Sequence, residues 1–266
     1  MDKALVSIIM PVHNGATSIA RAIESVLQQV HQEWELIVID NASNDDSARI
    51  ARSFDDPRII VTQEMRKGVA FARNKGLDLA RGKFICFLDA DDRLPENSLS
   101  SRLKLFARQE ALGAVDGQVI RDSGAHQWTP KIKGDVLQSL LDLNDRAFTG
   151  VTWMLRSENI KDLRFNTGLS HCEDLYFFIT CAKAGLQYDF VELPVYEVVG
   201  SKGSAMDNLR GLETGYMQLL ELLEKDFPDL DIKELKQKVR YIMWRSYLKQ
   251  GKVLPALRVF FSSLPS

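Results

Sequence analysis

Apolar positions along the first half of the chain keep two alternating rhythms. Leu5–Val12 is a near-continuous apolar run, as expected of a strand buried on both faces. Ile19, Ile23, Val26, Leu27 and Val30 then recur at helical spacing. Glu35–Asp40 reads as a second strand, and Ser43 through Ser53 opens another helix. Ile59–Thr62 reads as a short strand, Gly68–Ala80 as a helix and Phe84–Leu88 as a strand. Strands alternating with helices predict an α/β fold with a mainly parallel sheet and helices on both faces.

Between Ser98 and Leu169 the pattern is less regular. It predicts a helix near Ser98–Ala111, a strand near Ala114–Arg121, a loop carrying Trp128 and Pro130, and a strand near Val151–Arg156. Glu173–Ala184 reads as a helix, Tyr188–Val198 as a strand and Gly200–Ser204 as a polar loop. Helices at Leu209–Lys225, Ile232–Lys249 and Val253–Leu264 follow. A boundary near residue 205 sets an α/β body, residues 1–205, apart from a C-terminal helical extension, 206–266.

Composition changes this picture in three places. The 266 residues, 45% hydrophobic, suffice for a core without covalent staples. The cysteines (Cys86, Cys172, Cys181) are odd in number and include no Cys-x-x-Cys pair, and Cys86 and Cys181 sit among apolar residues. That argues against a disulfide framework or a cysteine zinc site and predicts a reducing, cytoplasmic setting. The first apolar run stops at Pro11, too soon for a signal-peptide core, and no stretch is long enough to span a bilayer.

The net charge of −2 is unevenly spread. Lys233–Ser266 holds eight Lys/Arg against one Glu, a net of +7, which leaves −9 on residues 1–232. An acidic body disfavours nucleic acid as its ligand and suits a carboxylate site that needs a cation; a basic tail suits an anionic surface.

In open parallel sheets ligands bind beyond the carboxyl ends of the strands. Three predicted strands end there in polar groups: Pro11-Val12-His13-Asn14-Gly15, Asp40-Asn41-Ala42-Ser43 and Asp89-Ala90-Asp91-Asp92. Taken singly, Asp40 or Ser43 serves equally well as a helix cap, and Asn14-Gly15 as a turn. In extended chain, Asp89 and Asp91 face the same side roughly 6–7 Å apart. Such hard oxygen ligands suit Mg²⁺ or Mn²⁺, and a bare Asp-x-Asp is otherwise a solvated acidic turn. No Gly-x-Gly-x-x-Gly follows the first strand, which argues against a dinucleotide enzyme.

Val6-Ser7-Ile8-Ile9-Met10-Pro11-Val12-His13-Asn14 and Glu35-Leu36-Ile37-Val38-Ile39-Asp40-Asn41-Ala42-Ser43-Asn44-Asp45 resemble the start of a family 2 glycosyltransferase with the GT-A fold, a Rossmann-like α/β arrangement. Gly68-Val69-Ala70-Phe71-Ala72-Arg73-Asn74-Lys75-Gly76 and Phe87-Leu88-Asp89-Ala90-Asp91-Asp92 resemble its next blocks. The resemblance implies a nucleotide-sugar half at about 1–95 and an acceptor half at about 96–205. It implies that Asp40 accepts from a pyrimidine ring N–H, that Pro11, His13 and Asn14 bind the donor nucleotide, and that Arg73 contacts base or phosphates. It implies Asp89 on the ribose and Asp91, with Asp89, on a Mn²⁺ or Mg²⁺ ion. Asp45 is a weaker candidate near the base, or a cap.

His171-Cys172-Glu173-Asp174-Leu175 resembles the family's acceptor-side acidic pair. A hydroxyl attacking an anomeric carbon needs a base, and a carboxylate supplies one; two acids in a helix's first turn also favour the macrodipole without any catalytic role. The resemblance makes Asp174 the base, Glu173 a brace and the reaction inverting, with a UDP-sugar ahead of a dTDP-sugar as donor. It implies a glycan or lipid-linked acceptor. The helix N-terminus is expected to lower both proton affinities. Family relatives often carry Arg or His after the position of Tyr196; here only Lys202 offers positive charge. A sugar-nucleotidyltransferase lacks support because His13–Thr17 is not a basic, Gly-rich loop, and an idle nucleotide-sugar-binding module is the alternative from another class. Leu254, Leu257, Phe260, Phe261 and Leu264 form an apolar stripe amid basic residues, suited to peripheral membrane contact or to packing on the protein.

Overall fold

A computed structural model of the chain describes residues 4–121, 124–144, 146–147, 150–199 and 208–261, residue 261 by its backbone alone. The polar loop Gly200–Ser204 with Lys202, the boundary near residue 205 and Leu264 lie outside the described residues, as does the Phe261 side chain.

The first half follows the predicted alternation: β1 (Val6–Val12), α1 (Ile19–Leu27), β2 (Trp34–Asp40), α2 (Ser47–Arg52), β3 (Ile59–Gln63), α3 (Val69–Leu79) and β4 (Phe84–Phe87). The second half holds α4 (Ser98–Arg108), β5 (Leu112–Arg121), β6 (His126–Trp128), α5 (Leu137–Asp142), β7 (Met154–Arg156) and α6 (Ser157–Ile160). After these come α7 (Glu173–Lys183), β8 (Gln187–Val198), α8 (Leu209–Asp226), α9 (Lys233–Lys249) and α10 (Val253–Phe261). One sheet runs in the order β3-β2-β1-β4-β7-β5-β6, with β8 paired to β5. β3, β2, β1 and β4 are parallel neighbours, whereas β7 is antiparallel to both β4 and β5.

The period-two geometry of strands sorts one apolar run onto two faces. Ile9, Ile37 and Ile39 enter a core with α3, α7 and α8, while Ile8, Met10, Leu36 and Val38 enter another with α1 and α4. Burying each such side chain contributes about 1.5–3 kcal/mol. α3 comes close to β1 because Gly76 has no Cβ; one placed there would overlap the Ile9 side chain.

Several expectations are corrected. The second helix starts at Ser47 rather than Ser43, because Ala42 takes a left-handed conformation (φ 53°) and Asp45 Oδ1 accepts from Ser47 N at 3.0 Å. The loop with Trp128 contains β6, which borrows its partners from the far end of β5. The strand predicted at Val151–Arg156 shortens to Met154–Arg156, and the helix predicted to Ala111 ends at Arg108. Cys86 and Cys181 are buried and all three cysteines are free.

Candidate active site

The carboxyl ends of β1, β2 and β4 open onto a cavity of about 1040 Å³. Pro11, His13, Asn14, Asn41, Asp89 and Asp91 line its sheet side. Its other wall is His171–Asp174 at the start of α7, with Leu212 and Tyr216 of α8. Four described non-glycine residues hold positive φ: Asn14, Ala42, Leu143 and Cys172. Three of them line this cavity, and backbone strain of this kind gathers where a site fixes its geometry.

Side chains stitch the strand-end loops together. Asn14 Oδ1 accepts from Asn44 N at 2.8 Å, and Ser43 Oγ accepts from Asn14 N at 3.0 Å. Asp45 Oδ2 accepts from Ala16 N at 3.0 Å, so Asp45 is a brace between two loops. Burial raises its proton affinity, but hydrogen bonds from Ser47 and Ala16 outweigh that and hold the carboxyl below its ordinary range. His13 Nδ1 donates to the Asn41 carbonyl at 2.7 Å, which fixes that tautomer and leaves Nε2 to accept from Asn14 Nδ2 at 3.3 Å. Asn41 in turn spends its side chain on the β3–α3 loop, donating to Glu64 O and Arg66 O and accepting from Gly68 N.

Asp40 ends β2 at 3% exposure and is not among the lining residues; its Oδ1 is buried without a partner among the described residues, while Gln63 Nε2 reaches Oδ2 at 3.4 Å. Asp89 and Asp91 do line the cavity, yet not through extended chain: Asp92 N donates to Asp89 O at 3.0 Å and closes a turn. That turn is tied to the end of β8. Tyr196 Oη accepts from Asp89 N at 3.1 Å and bonds the Asp92 carboxyl, whose Oδ1 accepts from Val199 N at 3.0 Å. Burial first, then the charge of Asp89, pushes Asp92 up to about 7.

Arg73 joins the two walls. Nη2 donates to Asp89 Oδ1 at 3.0 Å and Nη1 to Glu173 Oε1 at 2.8 Å. It is 4% exposed, so it is no helix-surface charge. Burial alone would lower a guanidinium's proton affinity; Asp89 and Glu173 outweigh it and keep Arg73 charged.

Asp174 departs from expectation. Burial first, and the Glu173 charge next, push its carboxyl up to about 7, against the pull of Arg73 and of its hydrogen bond from Leu175 N. The helix N-terminus does not lower it, because desolvation is the larger effect.

Sequence reasoning did not single out Arg21, Asn41, Leu212 or Tyr216. Arg21 lines the cavity from α1, donates from Nη2 to Asp91 O at 3.0 Å, and is in no ion pair among the described residues. On a helical wheel it is an ordinary polar-face residue. Leu212 and Tyr216 reach the site because α8 packs tightly on His171: a Cβ on Gly215 would stand 2.6 Å from His171 Cβ. The Gly-x-x-x-Gly pair Gly211/Gly215 was the legible signal.

The family model described as "Glycosyl transferase family 2" matches residues 7–177. The *Escherichia coli* protein named UDP-Glc:alpha-D-GlcNAc-diphosphoundecaprenol beta-1,3-glucosyltransferase WfgD is 43% identical over 109 residues, a match spanning 41% of this chain and 43% of WfgD. Among solved structures, *S. aureus* TarS 1-349 in complex with UDP-GlcNAc superposes with a TM-score of 0.71 at 19% identity, over 98% of this chain and 81% of that one. Mannosyltransferase PcManGT from *Pyrobaculum calidifontis*, in complex with GDP-Man and Mn2+, gives 0.67 at 21% identity, over 98% and 76%. These likenesses share the fold, and with the family model covering more than half of its residues, the chain belongs to glycosyl transferase family 2.

Proposed function

We propose that the protein is an inverting, metal-assisted glycosyltransferase that moves a sugar from a nucleotide-diphosphate sugar, a UDP-sugar first, onto a hydroxyl of a glycan or lipid-linked acceptor. One observation carries the reading: a single buried guanidinium, Arg73, holds Asp89 of the donor-side turn and Glu173, the neighbour of Asp174, across one cavity. Metal-directed and proton-accepting carboxylates thus face a common space. The catalytic unit we assign is residues 1–205, its nucleotide-sugar half about 1–95 and its acceptor half about 96–205. Within the extension, 206–266, α8 completes the acceptor wall.

Asp91 with Asp89 suits a hard divalent ion, Mn²⁺ or Mg²⁺. No cluster of three His, Cys, Asp or Glu stands ready among the described residues, so diphosphate oxygens and water would complete the shell, as these ions favour. When bound, the ion offsets the charge of the departing diphosphate. Arg21 adds a guanidinium on the same wall. Asp40 Oδ1, buried behind the lining at the end of β2 and without a partner among the described residues, is an acceptor suited to a pyrimidine ring N–H, and Pro11, His13 and Asn14 line the nucleoside's side.

Asp174 suits the base because a carboxyl near 7 matches neutral pH. The acceptor oxygen bonds to the anomeric carbon as the bond from that carbon to diphosphate breaks. The hydroxyl proton passes to Asp174, and the nucleotide leaves with the electron pair. The donors and ion in the names of WfgD, TarS and PcManGT agree with this reading. A lipid-carried acceptor would place the reaction at a membrane surface; no helix among the described residues is long and apolar enough to cross a bilayer.

The test is UDP release from UDP-sugars with Mn²⁺, read in parent and Asp91→Ala chains. Turnover by the parent that stops with EDTA and in Asp91→Ala is expected. Full turnover in excess EDTA would overturn the metal assignment, and no turnover with any nucleotide sugar would leave an idle binding module.

A further inference from the structure

Ten large hydrophobic residues are exposed among the described residues, and six of them fall between Tyr241 and Phe260. Leu254 is 80% exposed, Val253 55% and Phe260 53%, while Ala256 and Val259 on the opposite side of α10 are buried. The structure thus divides the apolar residues of α10: one side packs on the protein and the other faces out. α9 and α10 lie side by side, and a ladder of rings crosses between them, Tyr241 to Trp244 at 5.9 Å and Trp244 to Phe260 at 6.0 Å. Leu248 and Tyr241 on α9 therefore extend the apolar face of α10.

The charge on this hairpin is almost all of one sign. Lys233–Phe261 holds eight Lys/Arg and one acid, Glu234 in the first turn of α9. Arg258 and Lys236 turn back to Glu213 and Glu224 of α8, whereas Arg245, Lys249 and Lys252 are exposed beside the apolar patch. A symmetric contact with a second copy would set these cations against one another, with Glu234 at the start of α9 the one acid on the hairpin to offset them. Amphipathic tyrosine and tryptophan, protruding leucines and flanking cations are the pattern that settles into the headgroup layer of an anionic bilayer.

We propose that the α9–α10 hairpin is a membrane-docking platform whose partner is an anionic lipid bilayer. Its placement ties it to the cavity. Tyr247 Oη donates to Glu213 Oε2 at 2.6 Å and Arg258 Nη2 to Glu213 Oε1 at 2.6 Å, and Glu213 adjoins Leu212 of the cavity wall. A docked hairpin thereby sets the acceptor side of the cavity close to the lipid surface. This deepens the proposed function by naming the surface that carries the acceptor, and it rests on that reading only for its purpose, not for the binding itself.

The full chain is sedimented, without donor or acceptor, with vesicles of phosphatidylcholine alone or mixed with phosphatidylglycerol. Binding should rise with the phosphatidylglycerol fraction and fall as salt is raised. Arg245→Gln with Lys249→Gln should lower the partition coefficient roughly thirtyfold, at about a factor of five per cation. Leu254→Glu with Leu257→Glu should abolish binding while melting temperature and UDP release in solution stay at parent values. Equal binding to both vesicle types, parent-like binding by both double variants, or a dimer of the parent that Leu254→Glu dissociates would each overturn the proposal. Vesicle binding is read without turnover, so loss of UDP release in the parent overturns the proposed function and leaves this surface standing.

Discussion

Arg73 Nη1 lies 2.8 Å from Glu173 Oε1, a buried ion pair between residues a hundred positions apart in sequence. The same guanidinium holds Asp89 at 3.0 Å. Burying the charges costs desolvation, which good geometry offsets; removing one partner leaves the others exposed to that cost. Arg73→Met is therefore expected to lower folding stability by about 3–5 kcal/mol, measured by urea unfolding. Arg73→Lys keeps the charge but loses the fork that spans both carboxylates, and should lose part of that amount. A parent-like midpoint for Arg73→Met would show that the pair holds nothing together.

Asp174 sets a pH dependence whose sign follows from its burial. Its folded carboxyl titrates near 7 against an ordinary value of 3.8, so between these values the folded state keeps a proton that the unfolded chain releases. Stability of the metal-free protein should be greatest at the acid end of this window and fall as pH rises through it. Asp92, also near 7, and Asp116, which burial on β5 raises to about 6, act in the same direction. Asp174→Asn should flatten the fall without abolishing it, as read from melting temperatures across the window. A steeper fall in the variant would reverse the assigned direction. Sugar transfer should show the opposite trend, rising with pH toward 7 as the base ionises.

Arg21 is expected to contribute to donor binding. A charge-assisted hydrogen bond to phosphate is worth about 1.5–3 kcal/mol, so Arg21→Met should weaken donor affinity on the order of tenfold to a hundredfold. Calorimetric titration of UDP with Mn²⁺ present checks this. Unchanged affinity would mean the guanidinium serves only to hold Asp91 O.

Much of the fold was legible because the strands β1, β2 and β4 are apolar on both faces, and Ile8 and Ile9 fill opposite cores as that pattern requires. The short elements β6, α5 and α6 were not, since three to six residues show no period that separates them from loop. The candidate residues mostly converge on one cavity, Asp40 lying buried beyond its lining. Their local chemistry was less readable. Asp89 and Asp91 sit in a turn closed by a tertiary network from Tyr196, which no local pattern contains. The direction of the Asp174 shift depends on how deeply a helix end is buried, and the helix dipole, the effect visible in sequence, is the smaller one. Arg21 looked like surface because its helix face is polar; only the approach of the Asp91 turn makes that face a wall.

The most direct test of the account is transfer of labelled sugar from a UDP-sugar to a lipid-linked acceptor, with Mn²⁺, by the parent chain and Asp174→Asn. Asparagine keeps the shape of the side chain but accepts no proton. The account predicts unchanged donor affinity and a loss of transfer on the order of 10²–10⁴-fold, with Glu173→Gln costing less. Transfer by Asp174→Asn at near the parent rate would contradict it and place the base elsewhere.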